Sequence, residues 1–254
     1  MLSAIDHLII AVAEPDAAAA EIEAVLGLSA TGGGRHEAHG TFNRLIWLAD
    51  SYIELMGVFD RSLAAESWWG AHMSGLLDGA SATYAGLALA SDDLDSDIER
   101  LRGQGAPISD PVAGERARPD GEVVRWRIGR PPAPDPDLGL VFLIEHDTSS
   151  AEWRPADREA RAGQVHPLGT SGQLARFEVP VPDAGATTFR LLRQLGMQFR
   201  PSLVGHGARD TSIGGQLLRV TPSAAGQPPT IAIRAGRQPQ QADLLGCRWV
   251  IDPV

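Results

Sequence analysis

Apolar and polar positions along the chain repeat one figure three times: an apolar run, a turn bearing Pro or Asp, a helical stripe and a glycine stop. In the first copy Ile5 to Val12 reads as a strand, and Glu14-Pro15-Asp16 opens a helix, with Pro in the first turn and Asp at the positive end of the dipole. Ala18, Ile22, Val25 and Leu26 then fall on one helical face before Gly27. In the second, Tyr84 to Leu89 is the strand, Asp92 and Asp93 open the helix, Leu94, Ile98 and Leu101 make the stripe, and Gly103 ends it. In the third, Leu174 to Val181, Pro182-Asp183, the stripe Thr188, Leu191, Leu192 and Leu195, and Gly196 take the same places.

Each helix is followed by strand-like runs separated by turn residues. These are Thr41 to Leu48 and Tyr52 to Val58 around Asp50-Ser51, Val123 to Ile128 and Leu140 to Glu145 around Arg130 to Gly139, and Gly215 to Thr221 and Thr230 to Ile233 around a Ser-Ala-Gly-Pro loop. The pattern predicts an α+β protein of tandem βαβββ modules. Two of them, 1–60 and 82–147, make a unit over 1–150 with a helical connector over 62–78. A charged, exposed linker over 151–169 leads to a third, degenerate module over 170–254. Aligning Ala88 on Ala11 sets an offset of 77 residues (88 minus 11) between the first two copies, and Asp183 on Asp16 sets 167 (183 minus 16) for the third.

Composition narrows the function classes. Of 254 residues 43% are hydrophobic and 21% charged, an ordinary globular mix. A formal net charge of −10, with no cluster of arginines, opposes a phosphate backbone or an anionic lipid surface, so neither nucleic acid nor a membrane is an expected partner. Cys247 is the sole cysteine, which rules out an intrachain disulfide and a multi-cysteine metal site and is read as a core residue. The opening lacks a basic leader, and Leu8 to Val12 is too short for a signal or membrane helix, so a cytoplasmic location is expected. Gly32 to Gly34 carry no phosphate-loop pattern.

Three short stretches carry a family resemblance: Ile5-Asp6-His7-Leu8, Gly33-Gly34-Arg35-His36 with Gly40-Thr41 and Asn43, and Tyr52-Ile53-Glu54-Leu55. They resemble the glyoxalase-like branch of the vicinal oxygen chelate (glyoxalase, bleomycin resistance and dioxygenase) superfamily, over roughly residues 4–170, with the last third joined by its repeat pattern only. The resemblance implies that two modules pair into a cup-shaped sheet, with metal ligands on the first and fourth strands. It puts His7 and Glu54 at two ligand positions and Glu145 at a third, while the fourth, at the 77-residue offset, holds Tyr84. One imidazole and two carboxylates suit Mg, Mn, Ni or Zn and disfavour the two-histidine iron site of extradiol cleavage.

The residues themselves leave two readings of these side chains. Glu54 and Glu145 each sit on a largely apolar strand and need a partner, supplied either by a cation held with His7 or by Arg125 or Arg127, in which case His7 is a core histidine. His36 and His39 are placed in a glycine-rich loop where His36 is a candidate ligand or proton shuttle, and His146 is read as structural because it faces away from Glu145. Asn43, Tyr84, Trp126, Arg125 and Arg127 are candidate substrate contacts. In the third unit Leu174 and Ala232 stand in the ligand positions, so that unit is expected to pack, with a homodimer as one way to cover it. Two functions follow as expectations: a metal-dependent lyase, isomerase or hydrolase with Glu145 or His36 moving a proton on a small oxygen-rich substrate, or a metal-free module that binds or sequesters a small molecule.

Overall fold

The computed structural model describes residues 2–49, 51–223 and 226–254, so Asp50 of the expected Asp50-Ser51 turn and Ala224 and Ala225 of the expected Ser-Ala-Gly-Pro loop lie outside it. The first module is β1 (Leu2–Val12), α1 (Pro15–Leu26), β2 (Gly32–His36), β3 (Thr41–Trp47) and β4 (Tyr52–Val58). Helices α2 (Arg61–Ala65) and α3 (Trp68–Leu77) connect it to β5 (Ala82–Ser91), α4 (Leu94–Gly103), β6 (Val112–Ala117), β7 (Val123–Gly129) and β8 (Leu140–His146). After α5 (Pro155–Ala162) come β9 (Gln173–Val181), α6 (Ala184–Leu195), β10 (Arg200–Pro201), β11 (Arg209–Ile213), β12 (Gln216–Pro222), β13 (Thr230–Arg234), β14 (Gln240–Leu244) and β15 (Cys247–Asp252). No helix among the described residues is long and apolar enough to cross a membrane.

The two complete modules close into a barrel with strand order β1-β4-β3-β2-β6-β7-β8-β5. Closure removes the sheet edges that either module alone would leave unpaired. At one seam β2 meets β6 through Arg35 and Ala117, and Gly34 lies so close that a Cβ there would stand 2.1 Å from the Ala117 carbonyl oxygen. The glycines expected in a loop thus form strand β2, where Gly34 leaves room for the backbone of β6 and Gly33 for that of β3.

The second half is an open sheet of order β10-β11-β12-β9-β13-β15-β14. Its pairings copy the barrel: β13 runs antiparallel to β9 and parallel to β15, as β5 does to β1 and β8. β13 to β15 thus form a fourth module that has lost its helix. The apolar core lies between the barrel wall, α1, α4 and α6 and this second sheet, with Trp249 and Phe177 fully buried. Polar ties cross the same interface. The side chain of Gln216 accepts from the Ile5 N–H at 2.6 Å and donates to the Ile5 carbonyl at 3.2 Å, and Arg190 of α6 binds Asp135 at 3.0 Å and Asp137.

The helix N-caps fix how the copies correspond. Glu14, Asp93 and Asp183 stand 79 (93 minus 14) and 169 (183 minus 14) residues apart, not 77 and 167. On that register His7 corresponds to Gly86. Because β1 pairs Ile9 with Glu54 while β5 pairs Ala88 with Phe142, Glu54 corresponds to Phe142.

Candidate functional site

Strand alternation turns His7 and Ile9 of β1, Tyr52, Glu54 and Met56 of β4, and Leu140, Phe142, Ile144 and His146 of β8 into the barrel, where they line a cavity of about 60 Å³. Aromatic rings make a large part of its wall: Trp47, Tyr52, Trp69, Trp126, Phe142 and Trp153. The polar groups at this wall and just behind it form one continuous chain. His146 Nε2 and His7 Nδ1 both reach Asp6, at 3.1 and 2.6 Å, and His7 Nε2 lies 3.5 Å from Glu54 Oε2. Asn43 donates to Glu54 Oε1 at 2.5 Å and accepts from Arg116 at 3.2 Å, and Arg116 pairs with Glu152 at 2.5 Å. Every member except His146 is buried, and the His146 side chain is only 8% exposed.

Protonation follows from this packing. Burial opposes the charge of Asp6, but His146 and His7 outweigh it and hold the carboxyl well below the usual range, so Asp6 is an anion between two imidazoles. Burial, reinforced by Arg116 and His39, pushes His36 down to about 3, which makes it a neutral imidazole bonded to Thr41 Oγ1 at 2.9 Å. Burial, with Asp6 and Glu54, raises Tyr52 well above the ordinary phenol value, so its hydroxyl keeps its proton. Burial lowers His146, against the pull of Asp6.

Of the residues singled out by sequence, His7, Glu54, Asn43, His36 and Trp126 meet in this cavity. Glu145 does not join them. It points out of the barrel, where Arg127 donates to it through Nε at 2.9 Å and also through Nη2, and the Leu94 N–H approaches it at 3.4 Å. Arg127 is further paired with Asp95, and Arg125 with Glu115, both on the outside. Tyr84 also faces outward, its ring 4.9 Å from that of Phe177. A bulge in β5 sends it there: Ile9 pairs with Gly86 but Ile10 with Tyr84, so Ala85 is an extra residue and the side chains beyond it change face. The stretch expected as an exposed linker instead supplies buried Ala151, Glu152 and His166.

A metal cage of the expected kind does not fit these residues. His7 and Glu54 offer two donors, but the matching positions of the second module are Gly86 and Phe142, and a Cβ at Gly86 would stand 2.3 Å from the Leu140 carbonyl oxygen. No side chain of any sort can be placed there without moving β8. Among the described residues no group of three or more His, Cys, Asp or Glu converges as an ion site. In place of an ion the cavity wall carries the guanidinium of Arg116, to which nothing in the sequence pointed, nor to the roles of Asp6, Glu152 and Trp153, while His146, read as structural, lines the cavity.

Comparison with known proteins agrees with the architecture. A hypothetical protein from Staphylococcus aureus superposes with a TM-score of 0.80 at 16% identity, covering 98% of this chain and 99% of that one. This is a likeness of fold along the whole length. Methylmalonyl-CoA epimerase from Mycobacterium tuberculosis is 23% identical over 57% of this chain and 88% of its own, with a TM-score of 0.40. A variant of the Streptomyces coelicolor methylmalonyl-CoA epimerase in complex with 2-nitronate-propionyl-CoA is 21% identical over 57% and 97%, with a TM-score of 0.43. No curated protein matches the sequence. A family model described as a glyoxalase-like domain matches residues 5–195, three quarters of the chain, and the chain belongs to that glyoxalase-like domain family.

Proposed function

We propose that the barrel cavity takes up a small carbonyl compound and that His7 moves a proton on the carbon beside the carbonyl, in an isomerase- or lyase-type reaction that needs no metal ion. The observation that carries this reading is the buried line Asp6–His7–Glu54, with contacts of 2.6 and 3.5 Å, in which His7 and Glu54 stand at the cavity wall and Asp6 behind them. The Asp6 carboxylate accepts the Nδ1–H and thereby directs the Nε2 lone pair at the cavity, the orientation a general base requires. Glu54 Oε2 stands beside Nε2 and, with its other oxygen engaged by Asn43, is placed to hold or return the proton. The protonated Tyr52 hydroxyl supplies a hydrogen bond to the oxygen that gains charge. The aromatic wall excludes water, which would compete for both.

The test is exchange of α-protons for deuterium. Phenylpyruvate and smaller 2-oxo acids are incubated with the protein in D2O, with and without EDTA, and the C–H signals are followed by proton NMR. Exchange above the buffer rate and indifferent to EDTA is expected. Exchange abolished by EDTA would restore a metal-dependent mechanism. Binding without exchange would favour the second reading, a small-molecule binding or sequestering protein, for which the stacked walls and narrow cavity also argue.

Glu145 gives a control. Because it faces outward, Glu145→Gln is expected to leave exchange within about twofold and to cost about 1 kcal/mol of stability through the weakened contact to Arg127, read from urea unfolding. A loss of exchange with an unchanged melting point would put Glu145 back in the site.

A further inference from the structure

The connection after β8 sends a carboxylate into the barrel rather than out to water. Glu152 is 6% exposed, and its backbone lies at φ +66°, the left-handed region that a glutamate enters only at a conformational cost. Arg116, from β6, balances that cost: its side chain is 3% exposed and its guanidinium meets Glu152 Oε2 at 2.5 Å. The next residue, Trp153, lies flat on His146 with ring centroids 3.4 Å apart. On one side Ser150 is anchored, donating through Oγ to Asp147 O at 2.7 Å and accepting the Arg125 N–H at 3.2 Å; on the other, α5 begins at Pro155. Ala151 to Trp153 is thus a short strap between fixed ends.

That strap is also the partition. Trp47, Tyr52, Ile144, His146 and Trp153 line both the inner cavity and a larger outer groove. Withdrawing Glu152 and Trp153 would join the two, giving the cavity both an entrance and more room.

We propose that Glu152 occupies the place of the ligand's own carboxylate, and that the natural ligand is a small monocarboxylate with a flat apolar body, which displaces Glu152 from Arg116 as the strap moves outward. The swap is electrostatically even. One carboxylate leaves and another arrives, so Asp6 and Glu54 face no added negative charge, and Glu152 regains its hydration. The planar guanidinium fork accepts either carboxylate in the same geometry. Asn43 bridges Arg116 to Glu54, so a ligand anchored on Arg116 is held one side chain away from the His7–Glu54 pair. The proposal rests on the proton-transfer reading for the identity of the site, but its binding step is measured without turnover.

The probes are phenylpyruvate and phenylacetone, which share a ring and a ketone and differ in the carboxylate. Binding is followed by quenching of tryptophan fluorescence and by calorimetry. With the closed strap removed as a competitor, Glu152→Ala is expected to bind phenylpyruvate roughly tenfold more tightly than the unaltered protein, because the fraction of open molecules no longer divides the affinity. Phenylacetone, which has no carboxylate to take the place of Glu152 on Arg116, is expected to bind both proteins weakly and to gain less from the substitution than the acid does. Arg116→Lys, which keeps the charge and loses the fork, is expected to lose most of the preference for phenylpyruvate. Glu152→Gln keeps the size of the side chain and reports the charge alone if Glu152→Ala folds poorly, as judged by its melting curve. Equal phenylpyruvate affinity with and without Glu152, or equal affinity for the acid and the ketone, overturns the proposal. Tight binding of the acid with no exchange in D2O sinks the proton-transfer reading and leaves this one standing.

Discussion

Exchanging His7 for glutamine is expected to slow α-proton exchange by about 10²- to 10⁴-fold while ligand binding changes only a few-fold. Glutamine fills similar space and can still donate its amide N–H to Asp6, but it has no nitrogen basic enough to take a proton from carbon. His7 lies against the Tyr52 ring at 4.4 Å and near Phe142, so the loss of its imidazole also loosens one aromatic wall. A variant that binds phenylpyruvate normally and exchanges it slowly separates the two effects. Asp6→Asn acts one step back: it keeps the shape but removes the fixed anion that sets the His7 tautomer, and about a 10- to 100-fold loss is expected. The variant also costs stability, since both His7 and His146 lose their charged acceptor. The folded carboxyl titrates below its unfolded value, so this stabilisation is full above about pH 4 and is lost as pH falls below that. If His7→Gln retained exchange within a few-fold, the base would have to be sought elsewhere, with Glu54 next in line.

The modules were legible because each begins with signals that packing does not override: an apolar run, an acidic or proline-marked cap and a glycine stop, as at Glu14-Pro15 and Gly27. Half of the site was legible for a related reason. His7, Glu54 and Asn43 lie on strands whose alternation and turn positions are plain in the sequence. The rest depended on register. Matching Ile144-Glu145 to Ile53-Glu54 displaces β8 by three residues from the pairing observed, and an odd slip reverses every side chain, which is why His146 faces the cavity and Glu145 the solvent. Cap-to-cap spacing corrects only the match of β1 to β5, from 77 to 79 residues; the register of β8 follows from its pairing with β5, because the connection before it differs in length between the modules.

Tyr84 was hidden by a bulge, which inserts one residue without leaving a mark in composition. Strands β2 and β6 were invisible for another reason. Gly32 to His36 and Val112 to Ala117 have neither apolar alternation nor β-branched enrichment, and they are strands because barrel closure supplies their partners. Arg116 and Glu152 were lost with them, one on an unrecognised strand and the other on a segment whose charge read as solvent-facing. The truncated fourth module is likewise a product of pairing: β13 to β15 carry no helix, and only their parallel and antiparallel neighbours reveal the relation to β5, β7 and β8.

Stability is expected to fall steeply in acid, and His36 is expected to be a principal cause. In the folded protein burial, with Arg116 and His39, holds this imidazole down to about 3 from an ordinary 6.5. Between those two values the unfolded chain binds a proton that the folded one refuses, so folding weakens as pH drops through that window, and above pH 6.5 the group contributes no pH dependence. At about 1.4 kcal/mol per unit the loss attributable to His36 is roughly 3 kcal/mol between pH 6.5 and pH 4, an order-of-magnitude figure comparable to a sizeable part of a domain's net stability. His146, His72 and His166 are lowered chiefly by burial and add to the slope with the same sign. His36→Gln separates the contributions, because glutamine can keep a contact with Thr41 and carries no charge at any pH. The variant is expected to be about 1 kcal/mol less stable than the unaltered chain at pH 7 and to match or exceed it by pH 4, measured by urea unfolding at a series of pH values. An identical slope in both proteins would mean that His36 takes up its proton without unfolding, which requires the barrel to admit water or an anion beside Trp126 and Trp69. In that case the cavity opens in acid, and phenylpyruvate affinity rises as pH falls; with a closed, dry cavity it does not.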